Sequence, residues 1–316
     1  MIKQFNFYDI YGYLLPGMLL LGLLWLPVGV LTQTWPSQDI SNALFMVVLA
    51  YIAGHLLQTI AISIVPSKVT DKAKHQRSPS DLLLDDSDKK FAKVLKEKIA
   101  AQVTKIFGID LEITKEGDGE NDISKKRQDA FFQARSYLIA KKSAHYAEQF
   151  EGIYGMMRGL GCAFCAGSAY LVGWALSIRG GAAKVWCWIP ILVLAAIAFA
   201  LIFAIAAFYH EPVKTMADRI VAAFLSLTLV GSGYLTGCWR FQPLASSISF
   251  PSYAESVLWG AALLTLFAAV RCFSAYRAFA LTFAETVWRD FSAYLSCQEN
   301  LAASSGGSSG KSEGIS

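Results

Sequence analysis

A charged segment with membrane-length apolar runs on both sides limits this chain to a membrane fold. The segment, Pro66 to Arg158, holds 18 of the 28 Lys and Arg residues and 15 of the 24 Asp and Glu residues. The chain of 316 residues is 54% hydrophobic and 16% charged, whereas soluble domains are about 25% charged. We therefore predict an all-α polytopic membrane protein with a charged insert.

Apolar runs outside the insert predict six transmembrane helices. Because a helix rises ~1.5 Å per residue, about 20 residues cross a hydrocarbon core ~30 Å thick. The sixth run is shorter, but neither Gly nor Pro follows it before residue 295, so its helix is expected to continue. The predicted spans are Leu14–Leu31, Asn42–Val65, Leu160–Ile178, Val185–Phe208, Ile220–Trp239 and Val257–Val270.

Changes in composition divide the chain into five segments. Residues 1–65 form a pair of transmembrane helices, and residues 66–158 form a mostly helical insert. Four further transmembrane helices occupy residues 159–272. A C-terminal helix over residues 273–300 precedes a tail, residues 301–316, whose Gly and Ser content predicts disorder.

The distribution of basic residues predicts the orientation. With six spans both termini lie on one side, which receives 25 Lys and Arg residues, while only Arg179, Lys184 and Arg240 lie on the other. An excess of basic residues marks the cytoplasmic side of a membrane. We therefore expect both termini and the insert in the cytoplasm, at a bacterial inner membrane.

Periodic apolar residues predict helices within the insert and after the last span. The predicted helices cover residues 88–107, 122–158 and 271–295, and the second runs directly into the third span. Aromatic residues form one stripe from Phe131 to Tyr154 and another from Phe273 to Tyr294. These stripes are predicted to pack against each other.

Polar residues of the second span are spaced by three, four and seven positions and so share one helical face. This face is expected to point into the helix bundle, because polar groups find no partner among lipid tails. An ionisable His within a span is a functional candidate, although a structural His bonded to a polar neighbour explains the pattern more simply. The face contains Tyr51, His55, Gln58, Thr59 and Ser63.

Small residues and cysteines add two further predictions. Gly161 and Gly167 in the third span, and the GxxxG pair Gly233 and Gly237 in the fifth, predict close packing of helix backbones and permit oligomerisation. Two cysteines lie near predicted outer ends, where an oxidising periplasm could bridge them; free thiols are the alternative. They are Cys187 and Cys238.

Signatures of catalysis are missing from the sequence. We find no P-loop, GxSxG elbow, HExxH, zinc-ligand spacing or dinucleotide fingerprint. The sequence therefore predicts no enzyme, cofactor or metal site. The net charge of +4 comes from basic residues mixed with acids, which does not favour nucleic acid. The predicted partners are the lipid bilayer, a second copy of the chain and a cytoplasmic protein.

Three segments, FNFYDIYGYLLPG, AEQFEGIYGMMRGL and ETVWRDFSAYL, resemble recurring segments of a poorly characterised group of bacterial multi-pass inner-membrane proteins. Such proteins enter the first span with a YD-x-x-GY-x-x-PG pattern. Some are encoded near phage-defence genes, so the resemblance implies a membrane sensor or effector. The alternative is a small-solute channel or transporter with His55 on its path, but no acidic residue lies within the six predicted spans.

Overall fold

The computed structural model describes residues 9–32, 39–65, 69–70, 76–85, 89–111, 120–180, 230–231, 233–235 and 253–306. Within these residues the fold is all-α apart from one antiparallel pair of strands, each two residues long. Four helices in this part of the chain are long and apolar enough to cross a membrane. They support a membrane location and cover Asp9–Leu31, Ile40–Ile62, His145–Ile178 and Ala254–Ala302.

Two of the six predicted spans are not among these four. Residues 185–208 lie outside the described part of the chain, as does most of the stretch 220–239. Residues 230–231 and 233–235 are helical. Six spans therefore remain a prediction.

The chain divides into two compact units. The first, here called the membrane unit, is Met1–Ser67 with Gly152–Ala278, and the second, the insert unit, is Lys68–Glu151 with Phe279–Ser316. The boundaries fall inside two helices. The sequence segments 66–158 and 273–300 thus do not coincide with the units, because the first residues of one long helix and the last residues of another belong with the insert.

The membrane unit begins with a π-helical turn, Asp9–Leu14, which continues as α1, Leu15–Thr32. Helix α2 spans Ile40–Ile64. Parts of two longer helices also belong to this unit: α6, His145–Gly180, and α7, Ala254–Gly306.

The insert unit contains short elements and two amphipathic helices. Strands β1, Val69–Thr70, and β2, Gln76–Arg77, pair antiparallel. Ser78 caps the following α3, Pro79–Leu84, by accepting a hydrogen bond from the backbone N–H of Asp81. Helices α4 and α5 then cover Lys93–Phe107 and Glu120–Ala140.

The predicted continuous helix over residues 122–158 is wrong, because the chain breaks between α5 and α6. Lys142 adopts the left-handed conformation, with φ 56°. The N–H of Ser143 bonds to the carbonyl of Leu138, and that of Lys142 bonds to the carbonyl of Ile139. This pair of bonds is a Schellman motif. Its left-handed position is usually Gly, so a Lys there gave no stop signal in the sequence.

Two other helix ends differ from the predictions. Helix α4 begins at Lys93 rather than at residue 88, with Ala92 at the N-cap position. Its end at Phe107 is as predicted, and Gly108 follows in the left-handed conformation, with φ 68°. Helix α7 continues to Gly306, six residues into the predicted disordered tail; Ala302 and Ala303 favour helix there.

The predicted packing of the two aromatic stripes is confirmed. In the insert unit, Phe131 lies edge-on to Phe283 and to Trp288, with ring centroids 5.7 and 5.6 Å apart. In the membrane unit, the ring centroids of Tyr154 and Tyr276 are 5.9 Å apart. Further ring pairs of the insert unit join Tyr137 to Phe291, Tyr137 to Tyr294, and Phe150 to Phe279. Both stripes therefore lie in helix interfaces.

Candidate functional site

Gln58 is the centre of a polar cluster in the membrane unit. Only 2% of Gln58 is exposed. Its side-chain nitrogen donates to the carbonyl oxygen of Gly12, at 3.0 Å, and to that of Gly155, at 2.6 Å. Gly12 belongs to the π-helical turn and Gly155 to α6. One buried amide on α2 therefore bonds to two other helical segments.

Arg158 supplies the positive charge of this cluster. It is 8% exposed, and its Nε donates to Oε1 of Gln58 at 3.3 Å. The guanidinium carbon lies 5.9 Å from the ring centroid of Tyr276 on α7, within the range of a cation–π interaction. Among the described residues, no carboxylate lies within ion-pair distance of Arg158. The cluster is therefore cationic.

Glycines allow the helices around the cluster to approach one another. A Cβ on Gly54 would collide with the carbonyl oxygen of Tyr13, and a Cβ on Gly17 would collide with that of Ala50. A Cβ on Gly159 would lie 2.9 Å from Pro16 and 3.2 Å from the amide nitrogen of Gln58. Side chains at these positions would push the hydrogen-bonding groups apart.

The glycines that the sequence singled out also lie at close helix contacts, as far as they are described. A Cβ on Gly161 would lie 2.8 Å from Phe273, and one on Gly167 would collide with Leu23. A Cβ on Gly233 would collide with the carbonyl oxygen of Tyr170. Gly237 lies outside the described residues, as do Cys187 and Cys238.

The predicted polar face of α2 does not point inward as a whole. Gln58 is buried and Tyr51 half-buried, but His55 and Thr59 are exposed. At ~100° per residue, the face spreads over roughly 140° from Gln58 to Ser63, which is wider than the buried side of α2. His55 and Thr59 consequently lie on its flank.

His55 contacts aromatic rings in the membrane unit. Its ring stacks on Tyr13 with centroids 3.8 Å apart, and Tyr51 meets it edge-on at 4.5 Å. Thr59 donates to the carbonyl oxygen of His55 within α2. His55 therefore reaches the π-helical turn through Tyr13, whereas Gln58, three positions further along α2, also reaches α6.

Arg158 was not identified as a site residue from the sequence, because it is the last residue of the charged segment and was assigned to the insert. A signal was present, however. Three residues of α6 lie on one helix face, because Arg158 follows Gly155 by three positions and Gly159 follows it by four. Two glycines beside a lone Arg at the start of an apolar run indicate a charge that packs against other helices.

A second buried polar group lies in the insert unit. Arg127 on α5 donates to a carboxylate oxygen of Asp81 on α3 at 3.0 Å, and their side chains are 6% and 2% exposed. The indole nitrogen of Trp288 on α7 donates to the carbonyl oxygen of Ser80 at 3.2 Å. Helix α3 is thus held by an ion pair to α5 and by a hydrogen bond from α7.

Neither cluster contains the groups of a recognisable catalytic site. Gln58 and Arg158 supply donors and a positive charge, which suit the binding of an anion. In the part of the chain that the structure describes, no three His, Cys, Asp or Glu side chains are placed to hold a metal ion.

Comparison with protein-family models, curated proteins and solved structures finds no match to this chain.

Proposed function

We propose that this chain is a multi-pass protein of a bacterial inner membrane that acts as a non-enzymatic sensor or effector, with the insert unit in the cytoplasm. The observation that carries the proposal is the continuity of α7, which runs unbroken over 53 residues and contributes to both units. Its buried residues include Phe273 in the membrane unit and Trp288 in the insert unit.

A continuous helix with buried residues in two units can transmit a change of packing from one to the other. A cytosolic event at the insert unit would shift α7, and the close contacts at Gly161 and Gly233 would rearrange in response. The positive-inside distribution of basic residues supports the cytoplasmic insert. The resemblance to bacterial membrane proteins, some encoded near phage-defence genes, supports a role in defence.

Native cysteines allow a test of this transmission. Cys162 and Cys165 are buried in the membrane unit. In the full chain with the other four cysteines changed to Ser, their maleimide labelling rate is measured with and without Trp288→Ala in the insert unit. We expect Trp288→Ala to increase the labelling rate of these two cysteines several-fold. Val94→Ala, at a residue of the insert unit that is 75% exposed, is the matched control and should leave the rate unchanged.

Equal labelling in the wild type and in Trp288→Ala would contradict the proposal, provided that circular dichroism shows both proteins folded. The channel or transporter alternative is separated by flux. Purified protein in liposomes should show no steady movement of small solutes or ions. Sustained flux would favour the alternative.

A further inference from the structure

The charge of Arg158 has no anionic partner among the described residues. Its Nε–H donates to Gln58, and in this part of the chain that is its one hydrogen bond to protein. Arg carries five N–H donors, so both terminal NH₂ groups remain available. We propose that the guanidinium of Arg158 binds a phosphate group.

The surroundings orient the guanidinium for such a ligand. Gln58 presents Oε1 to Arg158 because its amide nitrogen is held by the carbonyl oxygens of Gly12 and Gly155. The ring of Tyr276 lies over the guanidinium. The amide thus holds the Nε edge and the ring covers one face. The remaining edge, with its two parallel N–H groups, matches two oxygens of a phosphate.

Energetics favour an anion at this position. A buried charge is costly unless it is paired, and a neutral amide oxygen and an aromatic ring compensate it only in part. Arg158 is 8% exposed, so bulk water cannot solvate it fully. A phosphate oxygen would supply the missing negative charge in a site of low dielectric, where the attraction is strong.

The position along the helices fits the depth of lipid headgroups. Arg158 lies two residues before the apolar run Leu160–Ile178. Gly12, which bonds to the same Gln58, lies two residues before the apolar run Leu14–Leu31. Two apolar runs therefore begin beside the cluster. The phosphate could belong to an anionic phospholipid or to a soluble molecule, and this binding does not depend on the sensor function.

Thermal unfolding of the full chain in neutral detergent tests the proposal. The probes are dihexanoyl phosphatidylglycerol, dihexanoyl phosphatidylcholine and inorganic phosphate, at constant ionic strength with chloride as the reference. We expect phosphatidylglycerol to raise the unfolding midpoint more than phosphatidylcholine does. A rise with inorganic phosphate as well identifies a site open to soluble phosphates, whereas a rise with phosphatidylglycerol alone identifies a lipid site.

Variants connect the effect to the site. Arg158→Gln should weaken the apparent affinity for the stabilising probe about 10-fold or more, since a charge-assisted contact is lost. Arg271→Gln removes the same charge from an exposed residue of α7 and should change the affinity less than about 3-fold, because exposed charges are screened. If Arg158→Gln does not fold, Arg158→Lys takes its place in the test. Lys keeps the positive charge but lacks the planar guanidinium, so this variant should bind the stabilising probe several-fold more weakly than the wild type.

Three results would overturn the proposal. The first is the absence of stabilisation of the wild type by both phosphatidylglycerol and phosphate. The second is equal stabilisation by phosphatidylglycerol and phosphatidylcholine without an effect of phosphate. The third is undiminished affinity in folded Arg158→Gln or, if that variant does not fold, in Arg158→Lys.

Discussion

The side-chain amide of Gln58 donates a hydrogen bond to the carbonyl oxygen of Gly155, 97 residues away in the sequence and 2.6 Å away in space. The same nitrogen donates to Gly12, and the amide oxygen accepts from Arg158. A single residue on α2 thus connects the π-helical turn, α2 and α6. Since polar contacts have few alternatives in an apolar surrounding, this connection should contribute strongly to the stability of the membrane unit.

Gln58→Leu should destabilise the protein by about 2–4 kcal/mol, because it removes three buried hydrogen bonds and leaves Arg158 without its acceptor. The measurement is thermal unfolding of the full chain in detergent. Thr59→Ala is the matched control, since Thr59 is exposed and its hydroxyl donates to the carbonyl oxygen of His55 in the same helix. If Gln58→Leu lowered the stability no more than Thr59→Ala does, the cluster would contribute little to the stability of the protein.

His55→Phe should leave stability nearly unchanged. Phe keeps the ring that stacks on Tyr13 and removes the ionisable nitrogens. We expect the folded variant to show the same absence of solute flux in liposomes as the wild type. A wild-type flux that His55→Phe abolishes would instead place His55 on a transport path and refute the sensor function.

Gly54→Ala should destabilise the membrane unit by about 1–3 kcal/mol, because the added Cβ would collide with the carbonyl oxygen of Tyr13. Gly22→Ala is the matched control on α1, where a Cβ meets nothing within 4 Å. That substitution should be neutral or slightly stabilising, since Ala favours helix over Gly. Both effects are read from unfolding midpoints, and similar midpoints for the two variants would contradict the packing described here.

Asp81→Asn should destabilise the insert unit by about 3–5 kcal/mol. The substitution keeps the shape of the side chain but leaves the buried charge of Arg127 unpaired. Glu97→Gln is the control, because Glu97 and Lys93 form an exposed pair that contributes less than about 1 kcal/mol. Hydrogen exchange of α3 and α5 in the full chain is the readout. Unchanged protection in Asp81→Asn would show that the ion pair is dispensable.

The sequence predicted the features that depend on periodicity. Apolar runs of membrane length located α1, α2 and the apolar parts of α6 and α7, and the aromatic period predicted that Phe131 packs against α7. The end of α4 at Phe107 was also predicted, and the residue after it is Gly108, which adopts the left-handed conformation without strain.

Features that depend on tertiary contacts were not predictable. The break at Lys142 is stabilised by a Schellman motif without Gly, so it has no signal in composition. The polar period of α2 identified a helix face but not which members face inward. Gln58 is buried only because Gly155 and Gly12 come close to it in the folded chain. Arg158 was missed for the same reason.

Transmission between the units requires that α7 be continuous between its two buried regions, and hydrogen exchange on the full chain in detergent or nanodiscs measures that continuity. We expect amides over residues 273–283 to exchange as slowly as those over residues 262–269 and 287–295, because all belong to one helix, Ala254–Gly306. Fast exchange confined to residues 273–283 would show two helices joined by a hinge and would contradict transmission through α7.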